Sequence, residues 1–385
     1  MTAPTVAEML RKPAARATQE TSTSPAPSPT PATSPTPTPV PSSTPVPSLA
    51  RCRALVRPAL AEAIGGLHPW VAEMAAFSFG WSDVRGTLAP GASEGKGVRQ
   101  TLAVLGAEAA GSAGSEAIPG AVAVELVHAF SLLHDDIMDG DGMRRRRETV
   151  WKAYGTGPAV LAGDALFALA LTALTAAAPP TPHTAAAVRI LCEALSELVH
   201  GQADDLLFES RPWTGPDAVT PAAYRAMAER KTGALLGCAA AVGAQLAGAP
   251  ATTVTALDRA GRHLGVAFQI VDDLLGIWGD PEVTGKPVHA DLRKAKKTWP
   301  ILTALATDTP AARELTTLLP RLPKSPDQTP RAATLLDRTG ARTATMTAAR
   351  QELEAARAAL ATIPLPPATA EEFDTLITYL LHRTL

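Results

Sequence analysis

From about residue 49 to its end the chain reads as one continuous helical pattern. Ala and Leu recur at three- and four-residue spacing, and no stretch alternates apolar and polar residues as a half-buried strand would. The composition agrees: 46% hydrophobic but only 4% aromatic residues favour packed helices over a β-sandwich, which draws on aromatic and β-branched side chains. Gly and Pro clusters divide the pattern into helices expected at 51–65, 97–110, 119–139, 157–178, 185–209, 221–248, 253–278, 298–307, 344–361 and 370–383. No second linker interrupts them. The expectation is an all-α protein, with 51–385 forming one large single-domain helical bundle around a central cavity.

Residues 1–50 read differently. Twelve of the 35 prolines fall there, and 24 of the 30 residues from Thr21 to Ala50 are Pro, Ser or Thr, none charged. Such a segment buries too little apolar surface to offset its ordering entropy, so a disordered spacer with local polyproline-II character is expected. Ahead of it, Thr5 to Lys12 could form a turn or two of amphipathic helix, which fits a docking or targeting peptide on a tether. The plain alternative is a ragged terminus without a role.

With 35 Lys+Arg against 37 Asp+Glu and pI near 6.5, a general nucleic-acid binder is not expected. Cys52, Cys192 and Cys238 lie far apart with neither zinc nor disulfide spacing, which points to the reducing cytoplasm. No membrane span and no signal peptide are expected, because no apolar run reaches about 18 residues and no apolar stretch follows Arg11 and Lys12.

Chemistry concentrates in two acidic clusters. In Leu133-His-Asp-Asp-Ile-Met-Asp139, Asp135 and Asp139 are four apart and share a helical face. They close the apolar stretch Ala121–Leu133, so they sit at a helix C-terminus, where each negative charge costs about 0.3–1 kcal/mol through the dipole. A compensating cation is expected, and hard carboxylates in an open cluster suit Mg2+ with water and phosphate oxygens. The feature returns in Phe268-Gln-Ile-Val-Asp-Asp273, again ending an apolar helix. One such cluster is commonly a solvated helix end; two argue for a shared metal cage. Basic residues interleave with them: Arg144 and Arg145, Lys286 and Lys296, Lys96 and Arg99 in a Gly-rich loop, and Lys231-Thr232 within an apolar run. Individually each would be a surface charge. Together with the acids they describe a diphosphate site.

These residues resemble the trans-isoprenyl (polyprenyl) diphosphate synthase family over roughly 51–385. The resemblance rests on Leu132-Leu-His-Asp-Asp-Ile-Met-Asp139 with Arg144-Arg145, and on Phe268-Gln-Ile-Val-Asp-Asp273 followed by Gly285-Lys286-Pro287, Asp291-Leu292 and Lys296-Lys-Thr298. Gly201-Gln202 with Asp205, and Lys231-Thr232-Gly233, match in order and spacing. It implies that Asp135, Asp139 and Asp272 ligate Mg2+, about three ions with substrate bound, and that Asp136 and Asp273 support them. It further implies that Arg144, Lys231, Lys286, Lys296, Thr232 and Gln269 hold an allylic diphosphate, and that Lys96, Arg99, His128 and Arg145 hold isopentenyl diphosphate. The implied reaction is ionisation, condensation and elimination, with no side-chain nucleophile. A homodimer is implied by analogy.

Product length is expected to be read below the first cluster. Phe130 lies five residues before Asp135, some 7.5 Å along a helix axis, and with Ser131 would form a floor for a growing tail. The resemblance is to short-chain synthases (C15–C20), with geranylgeranyl diphosphate the favoured product and farnesyl diphosphate next. Departures from the family pattern fall at Gly97 and Gln100, at Arg146 and Glu148, and at Gly276, where many members carry a third Asp. Two rivals remain: a class I terpene cyclase, and a non-catalytic diphosphate-binding subunit or cargo. The tether also resembles those that direct enzymes into bacterial protein shells (encapsulins).

Overall fold

The computed structural model describes residues 46–87, 95–176, 181–281 and 287–382. Its helices are α1 (Pro47–Gly65), α2 (Pro69–Ser78), α3 (Val98–Ala109), α4 (Ile118–Met138), α5 (Val150–Tyr154), α6 (Thr156–Thr175), α7 (Pro182–Ser210), α8 (Pro221–Ala228), α9 (Ala234–Leu246) and α10 (Ala251–Trp278). After these come α11 (Ala290–Arg293), α12 (Trp299–Leu305), α13 (Pro310–Leu318), α14 (Thr329–Arg338), α15 (Ala341–Leu360) and α16 (Pro367–His382). The protein is all-α as expected, except for a two-residue antiparallel ladder, β1 (Met143–Arg144) with β2 (Arg147–Glu148).

Many helix starts follow from a Thr-Pro step. Thr181, Thr220 and Thr309 each place a side-chain oxygen on a backbone N–H three residues on, while the following proline occupies the first turn, where no N–H is needed. This start signal, rather than periodicity, marks α13, which the periodic reading left out. The helix expected from 51 begins earlier, at Pro47, with Val46 buried beside it, so 46–50 belong to the bundle and not to a tether. The rest of the expected disordered segment lies outside the described residues.

The bundle centres on α4, α9 and α10. α9 packs against α3, α7 and α10; α4 packs against α6; and α10 runs along α15. The main core joins them through fully buried Leu102, Leu105, Leu126, Leu166, Leu191 and Leu235. At roughly 25 cal/mol per Å2, burial of such side chains stabilises by about 1.5–3 kcal/mol each. A second apolar cluster, around Ile277, Leu292, Leu315 and Leu336, seats α11 to α14 against the end of α10. Two helical stretches, 114–138 and 156–175, are long and apolar enough to cross a membrane by length and composition, although charged residues interrupt both. In the bundle the first is mostly buried, and α6 keeps an exposed apolar face.

Candidate active site

The two acid clusters end α4 and α10 as expected, and one lysine reports their proximity. Against the cost of burial, the Lys296 ammonium is pushed up by Asp205, Asp139, Asp291 and Asp273, so it lies within electrostatic reach of both helix ends. Asp205, on α7, accepts from Lys231 Nζ at 2.6 Å and lies 3.8 Å from Lys296 Nζ. Burial opposes its charge, but Lys296 and Lys231 hold its carboxyl below the usual range. Lys231 and Thr232 sit on a π turn, Glu229–Gly233, between α8 and α9. Such a widened turn re-aims side chains within a helix and is common at functional sites. Gly201 lets α7 approach it, because a Cβ there would lie 2.2 Å from the Lys231 backbone nitrogen.

Each adjacent acid pair divides into one held and one bare carboxylate. At the end of α4, Asp136 is buried and accepts from Arg144 Nε at 2.9 Å and Nη2 at 2.7 Å. At the end of α10, buried Asp273 accepts from Tyr224 Oη at 2.5 Å, the Trp299 N–H at 2.9 Å and Gln269 Nε2 at 3.0 Å. Burial pushes the Asp273 carboxyl up to about 7, against these three donors. Among the described residues, Asp135, Asp139 and Asp272 have neither a side-chain hydrogen bond nor an ion pair. Burial raises the Asp135 carboxyl, Lys231 opposes that, and Asp139 adds like-charge repulsion.

The bare trio fits Mg2+ chemically: three hard oxygen donors that no protein hydrogen bond or ion pair occupies among the described residues. Among the described residues no three acid, imidazole or thiol groups already converge on one point. A metal here would therefore share its coordination with water and diphosphate oxygens.

A second basic group gathers around His128, seven residues before Asp135 on α4. Arg99 (α3), Arg145 and Arg144 each act electrostatically on His128 (α4), and Arg145 acts on Arg99. Burial and then Arg99, Arg145 and Arg144 push the His128 imidazole well below its usual range, so it is neutral at pH 7. Burial brings the Arg99 guanidinium down to about 10, still charged at neutral pH, with Glu125 opposing that fall and Arg145 adding to it. Its Nε is buried without a hydrogen-bond partner among the described residues. Lys96 lies 5.9 Å over the Tyr379 ring of α16. Lys286 lies outside the described residues.

The departures have local explanations. The Gln100 N–H donates to Glu125 Oε1 at 3.0 Å, a bond that proline could not make. Arg145 and Arg146, at φ 51° and 64°, form the left-handed pair of a tight two-residue hairpin. Gly276 makes room for an acid from elsewhere: a Cβ there would lie within 2 Å of Asp291 Oδ2. An acid missing from the end of α10 thus arrives through the α11 turn.

Phe130 meets His134 edge-on at 5.0 Å and Phe167 of α6 at 5.5 Å. The Ser131 hydroxyl is turned back onto the His128 carbonyl, at 2.9 Å. The sequence reading missed Tyr224, Glu125 and Phe167, and quoted Asp291 in a motif without giving it a role. Of the three missed, Glu125 carried a sequence signal, three residues before His128 on the same helical face.

An all-α bundle with two acid-tipped helices and converging cations defines a class: enzymes of the isoprenoid synthase fold. A family model described as polyprenyl synthetase matches residues 89–336. A (2E,6E)-farnesyl diphosphate synthase of Mycobacterium tuberculosis is 42% identical over 339 residues, 87% of this chain and 92% of that protein. A geranylgeranyl diphosphate synthase of the same organism is 46% identical over 270 residues, 70% and 75% of the two chains. The crystal structure of a polyprenyl synthetase from Streptomyces coelicolor superposes with TM-score 0.81 at 43% identity, over 87% of this chain and 99% of that one. The chain belongs to the polyprenyl synthetase family, among the short-chain trans-isoprenyl diphosphate synthases, and is a prenyltransferase.

Proposed function

We propose that this prenyltransferase condenses isopentenyl diphosphate with allylic diphosphates, in the presence of Mg2+, to a C15–C20 product, chiefly geranylgeranyl diphosphate. The reading is supported by the bare acids at the two helix ends, of which Asp135 lies within electrostatic reach of Lys231 and Asp139 of Lys296, with Asp272 beside the held Asp273 at the other end. Mg2+ bound by that trio would neutralise charge on the departing diphosphate. Arg144, Lys231 and Lys296 hold the allylic diphosphate, and Lys286 is assigned there by its motif. Arg99, His128, Arg145 and Lys96 hold isopentenyl diphosphate, with neutral His128 as a hydrogen-bonding group. The allylic C–O bond breaks and pyrophosphate leaves with the electron pair. The isopentenyl double bond attacks the allylic carbon, and the resulting cation loses a proton to the released pyrophosphate. Burial of the surrounding walls keeps water from the cation.

Product length is set by Phe130, backed by Phe167 and His134. The names of the two M. tuberculosis relatives bracket the same C15–C20 range. Phe130→Ala should shift products by at least one C5 unit on chromatography; an unchanged product would place the stop elsewhere.

The deciding assay supplies isopentenyl diphosphate and Mg2+ with dimethylallyl, geranyl or farnesyl diphosphate. Elongated diphosphates support this reading, hydrocarbons a terpene cyclase, and no turnover a binding subunit. Asp272–Asp273 and the second basic group favour the synthase. A homodimer fits the exposed Val160, Leu161 and Phe167 of α6 beside Val199, Leu206 and Leu207 of the adjoining α7. We assign the protein to the cytoplasm. Residues 1–45 are a docking segment for a partner such as a bacterial protein shell; their deletion should abolish co-purification with it and leave turnover intact.

A further inference from the structure

We infer that Tyr224 is a positioning residue for the transfer step: by clamping Asp273 it fixes the direction in which the Gln269 amide and the Thr232 hydroxyl face. This rests on the prenyl-transfer reading above. Tyr224 belongs to none of the family motifs matched in the sequence and lies 49 residues from its partner.

Hydrogen-bond accounting leads there. The Tyr224 side chain is buried on α8, and its ring is wedged edge-on against Trp299 at 6.1 Å. Its hydroxyl and the Trp299 N–H both donate to Asp273 Oδ2, which leaves Oδ1 for Gln269 Nε2. A reversed Gln269 amide would set its oxygen against Oδ1, two acceptors face to face. The carboxylate therefore dictates the amide's direction. With Nε2 turned to Asp273, Gln269 Oε1 accepts the Thr232 hydroxyl proton at 3.0 Å.

Every proton in the chain thus points toward Asp273: Thr232 to Gln269, Gln269 to Asp273, and Tyr224 to Asp273 from the opposite side. The Thr232 oxygen has used its only proton, which corrects the expectation that it donates to the allylic diphosphate: it can offer nothing but lone pairs to a neighbour. Thr232 follows Lys231 on the π turn, beside the lysine that holds Asp205. Positive charge develops on the allylic carbon next to the diphosphate that Lys231 holds. Fixed oxygen lone pairs at that place lower the energy of the transition state without reorganising during the reaction. Tyr224 does not touch the reacting atoms. It is the buried end of a chain of dipoles, and the pinning of its neighbour Arg225 to Glu352 of α15, at 2.6 and 3.0 Å, keeps that end from shifting.

The test is Tyr224→Phe, which retains the ring and removes one donor. We expect kcat to fall about tenfold, the order of one hydrogen bond. KM for the allylic diphosphate, the Mg2+ midpoint and the melting temperature should stay near wild type. In a Thr232→Val background the same change should cost less than about twofold, because both act through one chain. An unchanged kcat, a loss carried by KM together with early melting, or full additivity with Thr232→Val would each overturn the inference. If Tyr224→Phe does not fold, Asp273→Asn reads the same chain: its amide turns Gln269 around, and its kcat loss should likewise vanish in the Thr232→Val background, whereas additivity would sink the idea. Wild-type protein that transfers no prenyl group defeats the underlying function instead.

Discussion

At the end of α4 the held acid, Asp136, is neutralised by a full charge, the guanidinium of Arg144, which comes from a solvent-facing hairpin with a left-handed turn. At the end of α10 the held acid, Asp273, forms no ion pair among the described residues; three neutral donors satisfy it, from α8, α10 and the start of α12. The two corners present the same bare neighbours, Asp135 and Asp272, yet stand on different supports. A charged clasp at the surface is screened by salt and free to rearrange, while a buried set of dipoles is rigid and insensitive to ionic strength. The difference suggests that α10 is the fixed wall of the site and the hairpin after α4 the adjustable one. Lys294 of the α11 turn reaches across to Asp141 at the base of that hairpin, at 2.5 Å, and joins the two.

The comparison breaks outright if the bare acids are not equivalent. Asp135→Asn and Asp272→Asn should each lower kcat by roughly 10²–10³-fold, the range for losing one preorganised electrostatic group. Unequal losses would show that one corner carries the chemistry alone. Next in size, Arg144→Met leaves Asp136 without its cation. It should raise KM for the allylic diphosphate and lower stability by about 1–2 kcal/mol, discounted for the partial exposure of Arg144. Raising the salt concentration should reproduce part of that KM rise in the wild type and none of it in the variant, as read by steady-state kinetics.

Arg146→Gly removes a non-glycine residue from the left-handed region. It should raise the melting temperature by an amount worth about 0.5–1 kcal/mol, with turnover little changed. The smallest effect is expected behind α8. Burial opposes its charge, but His263 and Arg225 hold the Glu352 carboxyl below its ordinary 4.5, so its contribution is present above that value and lost as pH falls through the folded one. Glu352→Gln should flatten the loss of stability on acidification, as followed by melting between about pH 6 and 3.

The fold was legible wherever apolar periodicity was long, as in α4, α7 and α10, and less so where helices are short and begin at capped prolines, as in α13. The acids were legible because they are adjacent in sequence. Their division into held and bare members was not, since it depends on Arg144, eight residues from Asp136, and on Tyr224 and Trp299, 49 and 26 residues from Asp273. Gly276 makes the same point in reverse. The pattern at the end of α10 is short of one acid by count, yet Asp291 fills the volume a side chain there would need. Charge is a property of the place, and a motif records only what one strand of chain brings to it.

Phe167 touches Phe130 on one side and is 37% exposed on the other. The ring that backs Phe130, the residue proposed above to stop the growing tail, is therefore also part of the outer skin of α6. Whatever settles on that skin, a sister subunit or an enclosing wall, presses on the gauge that measures the tail. For this protein, how long a chain it makes and what company it keeps are a single question.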